Sequence, residues 1–236
     1  MKNNRQYLFL VLILAIGVAA VFFVFSRKQE SQVSLEIASS PMAEAKAQSY
    51  AAKLAPEAED EDLTFGSAKA PLLAFVYEDY SSPYSAALAD TLERLRQESD
   101  GRLGIIIRPF ILDTEPLSQP AALSVWCAAE QGKWKEMRAF LFSQAKTEQL
   151  QEDSLAIGAG EIGLDQTAFS ACLTNSQKSE RIEGMVAQAG SYGVLGAPTM
   201  FLGQEMILGA RPYDDFVDSN GDTIEGLGSL VKRKLE

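Results

Sequence analysis

The chain has 236 residues, of which 47% are hydrophobic and 22% charged, a composition typical of a globular protein rather than a coiled coil, a collagen or a disordered chain. Its 32 acidic residues outnumber its 21 basic ones, and the formal net charge of −11 excludes the basic surface that nucleic-acid binding requires. The sequence contains no histidine, which excludes Ser-His-Asp and Cys-His catalysis and histidine-ligated metals.

The first part of the chain is predicted to be a membrane anchor. Residues 7–26 form an uncharged apolar run. At about 1.5 Å per residue, such a run spans a hydrocarbon core of about 30 Å. A cleaved secretory signal has a shorter apolar core followed closely by a small-x-small site, whereas the first such site here, Ala43–Ala45, lies far beyond the run. An uncleaved transmembrane helix is therefore favoured over a signal peptide.

The charges that flank residues 7–26 set the expected orientation. Two basic residues precede the run and two follow it, so the positive-inside rule is nearly balanced. The tail of residues 1–6 is short, and the chain beyond residue 28 carries 17 basic and 32 acidic residues. We expect a cytoplasmic tail at 1–6 and the bulk of the chain outside the cytoplasm.

Residues 27–63 are predicted to link the anchor to a folded domain. Pro41–Leu54 is rich in Ala, Lys and Glu and has the composition of a short helix. Pro56–Asp62 is a run of acidic residues, and its composition favours a solvated spacer over an interaction tail.

Residues 64–236 are predicted to form one α/β domain. Leu72–Glu78 is a short apolar run typical of a buried strand. Ser82 followed by Pro83 has the cap and first-turn signals of a helix N-terminus. Ile105–Leu112 is the next apolar run, so a β-α-β unit with two parallel strands is expected.

The pattern is helical from about residue 116 to 193, with strand character returning afterwards. Two antiparallel strands joined by a turn containing glycine are expected at Pro198–Leu202 and Met206–Leu208. A last helix is expected at Ile224–Leu235. Asp218-x-Asn220-x-Asp222 lacks the glycine and the glutamate of a calcium loop, so this stretch is interpreted as a polar turn and no metal site is predicted.

Four segments of this body occur in an order that identifies a family. Asp79–Ser85 (DYSSPYS) resembles D-x-x-C-P-Y-C, Gly132–Phe142 a helical-insert signature, Gly196–Thr199 a cis-proline loop and Leu208–Tyr213 a closing strand. Together they resemble the DsbA-like branch of the thioredoxin superfamily over about residues 62–236. The resemblance implies a thioredoxin-like α/β fold with a helical insert, preceded here by one transmembrane helix. It also implies the periplasmic side of a bacterial inner membrane.

The sequence departs from this family at the residues that carry its chemistry. Ser82 and Ser85 occupy the positions of both redox cysteines. Thiol–disulfide exchange needs a thiolate, which a serine hydroxyl cannot replace. The buried acid that family members often place six residues before the first cysteine falls at Val76, and strand alternation puts Glu78 on the face of Val76 and Asp79 on the other. The residues therefore predict a redox-inactive member of the family, with no catalytic residue at the motif.

Ser82 has two further interpretations. It is first a helix N-cap that needs no ligand. The sequence S-P-Y-S also resembles kappa-class glutathione transferases and 2-hydroxychromene-2-carboxylate isomerases, in which the first serine hydrogen-bonds the glutathione thiolate. That resemblance implies an enzyme with glutathione as cofactor, whereas the DsbA resemblance with serines implies no cofactor.

The DsbA resemblance also implies a groove around the motif. In this fold the proline that matches Pro198 is cis, and its loop pairs with extended peptide; a plain turn-forming role is the alternative. We therefore expect a binding or scaffold module that docks an extended peptide or a membrane-protein partner. The expected groove residues are Ser82, Pro83, Tyr84, Ser85, Ala197, Pro198 and Thr199.

The two cysteines lie in the predicted helical insert and away from the motif. Cys127 and Cys172 are on apolar helix faces, and related extracytoplasmic proteins carry a structural bridge between these regions. Closing a loop of about 45 residues stabilises a protein by about 3–4 kcal/mol. Two buried free thiols are the alternative. A third hypothesis, an oxidoreductase that works through these two cysteines or by family label alone, is disfavoured by their spacing and apolar setting.

Overall fold

The computed structural model describes residues 55–236. The predicted cytoplasmic tail, the transmembrane helix at residues 7–26 and most of the predicted tether lie outside the described residues. Among the helices of residues 55–236, none combines the length and apolarity needed to cross a membrane.

A mixed sheet organises the described part of the chain. Its strands run in the order β1-β3-β2-β4-β5, with β2 parallel to β3 and antiparallel to β4, and with both edge strands antiparallel to their neighbours. This β-α-β start followed by an antiparallel pair is the arrangement predicted from the sequence. The strands are β1 (Leu63–Phe65), β2 (Leu72–Glu78), β3 (Leu103–Pro109), β4 (Thr199–Leu202) and β5 (Glu205–Leu208).

Helices connect the strands and form the insert. α1 joins β2 to β3, α2 to α6 form the insert between β3 and β4, and α7 closes the chain. The helices are α1 (Pro83–Glu98), α2 (Ser118–Glu130), α3 (Trp134–Lys146), α4 (Ser154–Glu161), α5 (Gln166–Leu173), α6 (Ser176–Ser191) and α7 (Leu227–Leu235).

The two faces of the sheet are covered by different helices because strand side chains alternate. Val76 and Ile107 point to the larger core, where α1, α2, α3 and α7 pack. Phe75, Tyr77 and Ile106 point to a second apolar cluster, which α6 covers. The predicted mixed α/β architecture with a helical insert is confirmed.

Several element boundaries differ from the sequence prediction. β3 begins at Leu103, opposite Leu72, and ends at Pro109, so the apolar run to Leu112 continues past the strand. The last helix begins at Leu227 because the residues before it pair as a small hairpin of β6 (Phe216–Val217) and β7 (Thr223–Ile224).

The polar turn of this hairpin uses Asp218 as a backbone acceptor. Its Oδ1 accepts hydrogen bonds from the backbone N–H groups of Asn220 at 2.8 Å and Asp222 at 3.0 Å. Among residues 55–236, no group of three or more histidine, cysteine, aspartate or glutamate side chains is arranged to hold a metal ion.

The helical insert is cross-linked within its core. Cys127 of α2 and Cys172 of α5 form a disulfide, with their Cα atoms 5.8 Å apart. Both residues are buried in the larger core. The predicted structural bridge is confirmed, and the alternative of two free thiols is wrong.

The acidic run at Pro56–Asp62 is exposed from residue 57 to 61, as its composition suggests, but its two ends are not solvated. The Asp62 side chain is only 2% exposed and forms an ion pair with Arg108 of β3, which is 1% exposed. Pro56 is also buried. The Asp62 end of the run packs against the domain because Arg108 is buried on the sheet face and needs an anionic partner there.

Candidate functional site

The N-terminus of α1 is built by the two serines of the motif. Ser82 is the N-cap with extended backbone angles, and its Oγ accepts a 3.4 Å hydrogen bond from the N–H of Ser85. Pro83 occupies the first turn, as the sequence predicts. Ser85 is buried, and its Oγ accepts a 3.2 Å hydrogen bond from the N–H of Asp79. Both hydroxyl oxygens therefore hold backbone groups of the helix and of the segment that leads into it.

Asp79 is a buried carboxyl group directly before the motif. Its Oδ1 accepts hydrogen bonds from the N–H of Ser81 at 2.8 Å and from the Ser81 hydroxyl at 2.6 Å. Its Oδ2 is buried and has no hydrogen-bond partner within 3.5 Å among the described residues. Burial raises the pKa of Asp79. The hydrogen bonds from Ser81 and the proximity of the Ser118 hydroxyl oppose the rise, and the negative charge of Glu115 adds to it.

Glu78 is held by an ion pair and cannot serve as a free proton relay. Nε and one terminal nitrogen of Arg138 donate to the two Glu78 oxygens at 2.5 and 2.8 Å. Arg138 lies on α3, on the same side of the sheet as Val76, which confirms the face predicted for Glu78. Burial raises the pKa of the Glu78 carboxyl, and the charge and hydrogen bonds of Arg138 offset part of that rise.

The position six residues before Ser82 carries no titratable group. Val76 is fully buried among apolar side chains. Tyr80, between Val76 and Ser82, packs its ring against Phe142 at a centroid distance of 5.7 Å. Its hydroxyl has no hydrogen-bond partner among the described residues, and burial raises its pKa well above the ordinary value. Val76 therefore supplies no acid at the position that family members often use.

The loop before β4 has the geometry that the resemblance implies. The Ala197–Pro198 peptide bond is cis. The Thr199 hydroxyl donates to the carbonyl of Gly196 at 2.7 Å, and the carbonyl of Pro198 accepts from the N–H of Gly209 at 2.9 Å. These bonds fix the loop on both sides of the proline.

The sheet brings this loop and the helix tip to the same end of β2. Thr199 opens β4 and lies opposite Tyr77 of β2, while Ser82 follows the end of β2 by four residues. Tyr84 on α1 and Leu195 in the loop are both solvent-exposed. The predicted groove residues therefore lie at the same end of the interior strands β2 and β4, whereas Cys127 and Cys172 lie in the core of the insert.

Sequence comparison places this chain in a family. The family model described as thioredoxin matches residues 58–219, and the chain belongs to that family. Within it, the fold is DsbA-like. No protein of curated function matches the chain in sequence.

Solved structures support the same assignment of fold. The catalytic domain of Proteus mirabilis ScsC has a TM-score of 0.61 at 19% identity, covering 80% of this chain and 97% of that chain. A thioredoxin-like oxidoreductase from Silicibacter pomeroyi has a TM-score of 0.59 at 18% identity, covering 75% and 91%. The thiol-disulfide exchange protein alpha-DsbA2 from Wolbachia pipientis has a TM-score of 0.57 at 20% identity, covering 73% and 92%. At these identities the likeness establishes the fold.

Two buried ion pairs near the site were missed by sequence reasoning. Glu78 ends an apolar strand, and Arg108 interrupts the apolar run of β3. A buried charge needs a partner, so a charged residue within each apolar strand indicates a buried ion pair close to the motif. The sequence does not name Arg138 or Asp62 as the partners, because they lie 60 and 46 residues away along the chain.

Proposed function

We propose that this protein is a membrane-anchored, extracytoplasmic member of the thioredoxin family that binds a partner without redox chemistry. The observation that carries the proposal is the pair of serines at the tip of α1. Their hydroxyl oxygens accept backbone hydrogen bonds, so the helix keeps its geometry while the nucleophile and the resolving thiol are absent.

The cis-proline loop supports a retained binding role. The loop is fixed on both sides of Pro198, and Leu195 in the loop and Tyr84 in the first turn of α1 are both exposed. Loop backbone in this position offers hydrogen bonds to an extended segment, and exposed apolar side chains add area to such an interface. We propose an extended peptide segment of a membrane protein as the ligand.

Membrane anchoring fits this role. Confinement of the domain to the membrane through residues 7–26 raises its effective concentration toward a membrane-bound partner, so a weak groove suffices. The bacterial inner membrane, with the domain in the periplasm, is the location proposed from the charge distribution and from the family.

The absence of redox chemistry is tested by paired activity assays. We expect no insulin reduction and no oxidative refolding by the natural chain, and measurable turnover by the Ser82→Cys/Ser85→Cys variant, since that change supplies the missing thiols. Turnover by the natural chain that disappears in Cys127→Ala would instead support an oxidoreductase working through the insert cysteines. Their burial in a disulfide argues against that alternative.

The binding role is tested by site-specific crosslinking in membranes. Tyr84, 69% exposed at the groove, is replaced by p-benzoylphenylalanine in the full chain. The matched control carries the same residue in place of Ile157, which is 50% exposed on the helical insert. We expect one defined adduct from position 84 and none at that mass from position 157. The same adducts from both positions, or none from position 84, would contradict a partner at the groove.

A glutathione-dependent transferase or isomerase is the second candidate. It is favoured by one observation: the Ser82 oxygen acts as an acceptor in the cap bond, so the hydroxyl proton is available to donate to a thiolate. Calorimetry with reduced glutathione tests it: binding by the natural chain that is lost in Ser82→Ala but kept in Ser81→Ala would support this role. Absence of heat in the natural chain would remove it.

A further inference from the structure

The acidic segment Ala55–Asp62, called the strap below, packs on the sheet face that supports the cis-proline loop. Ala55 packs against the second apolar cluster, which contains Phe75 and Tyr77. Val194 and Ala197, on either side of the exposed Leu195, belong to the same cluster. The strap and the loop therefore share one set of apolar neighbours.

A buried ion pair fastens the strap. Nε and a terminal nitrogen of Arg108 donate to the two Asp62 oxygens at 2.8 and 2.9 Å. The same terminal nitrogen donates to the carbonyl of Glu57 at 2.7 Å, and Glu59 lies 3.7 Å away. Asp62 also accepts from the N–H of Glu59 at 2.8 Å, so the strap is folded around its own anchor residue.

Strand β2 connects the ion pair to the cis-proline loop. Arg108 lies opposite Tyr77 in the register of β3 and β2, and its guanidinium is 3.5 Å from the Tyr77 hydroxyl. Tyr77 in turn lies opposite Thr199 in the register of β2 and β4. Thr199 follows the cis-proline and closes the loop through its bond to Gly196.

A second connection passes through α6. Gln188 of α6 donates to Glu59 at 3.1 Å, and Arg181 of α6 forms an ion pair with Glu61. α6 ends at Ser191, directly before the loop. The strap therefore contacts α6, which precedes the loop. Through Arg108 it also connects to β2, which pairs with β4 after the loop.

We propose that the strap controls the cis-proline loop: docked, it holds the loop in its peptide-binding form, and released, it lets the loop open. This proposal rests on the proposed function of the groove. Asp62 and Arg108 are positioning residues in this scheme, since neither lies at the groove itself. Release of the strap therefore reaches the groove through Arg108 and α6.

Amide hydrogen exchange on the full chain in detergent or nanodiscs tests the coupling. Asp62→Asn removes the charge that pairs with Arg108. We expect exchange to rise roughly tenfold at the strap amides of Glu59 and Asp62, and at the amides of Val194 and Gly209, which donate to the carbonyls of Ala189 and Pro198. Asp62→Glu, which keeps a carboxylate, should restore much of the protection. The matched control is Asp90→Asn, which breaks the exposed ion pair with Lys146 and should leave both regions unchanged.

A second variant guards against global unfolding by Asp62→Asn. Glu61→Gln/Gln188→Ala removes the exposed contacts to α6 and leaves no buried charge unpaired. If the strap exchanges faster in either variant while the amides of Val194 and Gly209 stay protected, the strap only packs and the proposal is overturned. The readout needs no partner, so failure of the crosslink at Tyr84 and failure of this coupling are separate results.

Discussion

Replacing Glu78 with glutamine should destabilise the domain far more than loss of a surface ion pair. Glu78 and Arg138 are both buried and bonded through two contacts at 2.5 and 2.8 Å. Two unit charges about 4 Å apart interact by about 4 kcal/mol at an effective dielectric constant of about 20. Breaking one side of a buried pair typically costs about 3–5 kcal/mol, because the remaining charge stays buried without compensation. We expect Glu78→Gln to lower the free energy of unfolding by about 3–4 kcal/mol.

Urea unfolding followed by tryptophan fluorescence measures this loss, since Trp126 is buried next to the insert disulfide. Asp90→Asn is the control, because the Lys146–Asp90 pair has similar geometry but side chains 40% and 69% exposed, and its loss should cost less than about 1 kcal/mol. The double variant Glu78→Leu/Arg138→Met should recover most of the stability, as apolar replacement of a whole buried pair often does. The reasoning is refuted if Glu78→Gln is no more destabilising than Asp90→Asn.

Three further predictions concern the motif and the insert. Cys127→Ala/Cys172→Ala should lower the free energy of unfolding by about 4 kcal/mol, because the unfolded chain gains the entropy that closing a 45-residue loop removes. Dithiothreitol should have no effect on the stability of this variant. Ser85→Ala should cost about 2 kcal/mol in the same urea titration, since it leaves the buried N–H of Asp79 without an acceptor. Ser82→Ala should cost about 1 kcal/mol as the loss of a cap, and equal values would contradict this order. Burial raises the pKa of Asp79 above its ordinary value of 3.8, so the folded state binds this proton more tightly and stability falls as pH rises from that value through the raised pKa. Between the ordinary and the raised pKa, the free energy of unfolding should fall by about 1.4 kcal/mol per pH unit in the natural chain, and Asp79→Asn should remove this fall. The same pH dependence of unfolding in the natural chain and in the variant would contradict the prediction.

The sequence predicts the elements whose signals are local. Leu72–Glu78 is a continuous apolar run and forms β2 with those bounds, and Ser82 with Pro83 marks the start of α1 by cap chemistry alone. β1 was missed because Leu63–Phe65 is three residues long and pairs with Ile105–Ile107, about forty residues later. A pairing over that distance leaves no periodicity to read.

The candidate site shows the same division. The helix tip and the cis-proline loop follow from short motifs, since Gly196–Thr199 and Asp79–Ser85 keep the family's order. The bonds between Asp62 and Arg108 could not be predicted, because the composition of an acidic run indicates a solvated segment unless a buried cation is known to face it. Burial decides which charges are structural, and burial is a property of the whole fold.

The bond between Cys127 and Cys172 also decides what proteolysis does to the molecule. The stretch Thr147–Asp153, between α3 and α4, is largely exposed and lies inside the loop that this bond closes. A protease that cuts there leaves two fragments in one covalent molecule, with the cut ends held near each other. A single cut in this exposed turn therefore releases no fragment for as long as the disulfide stays oxidised.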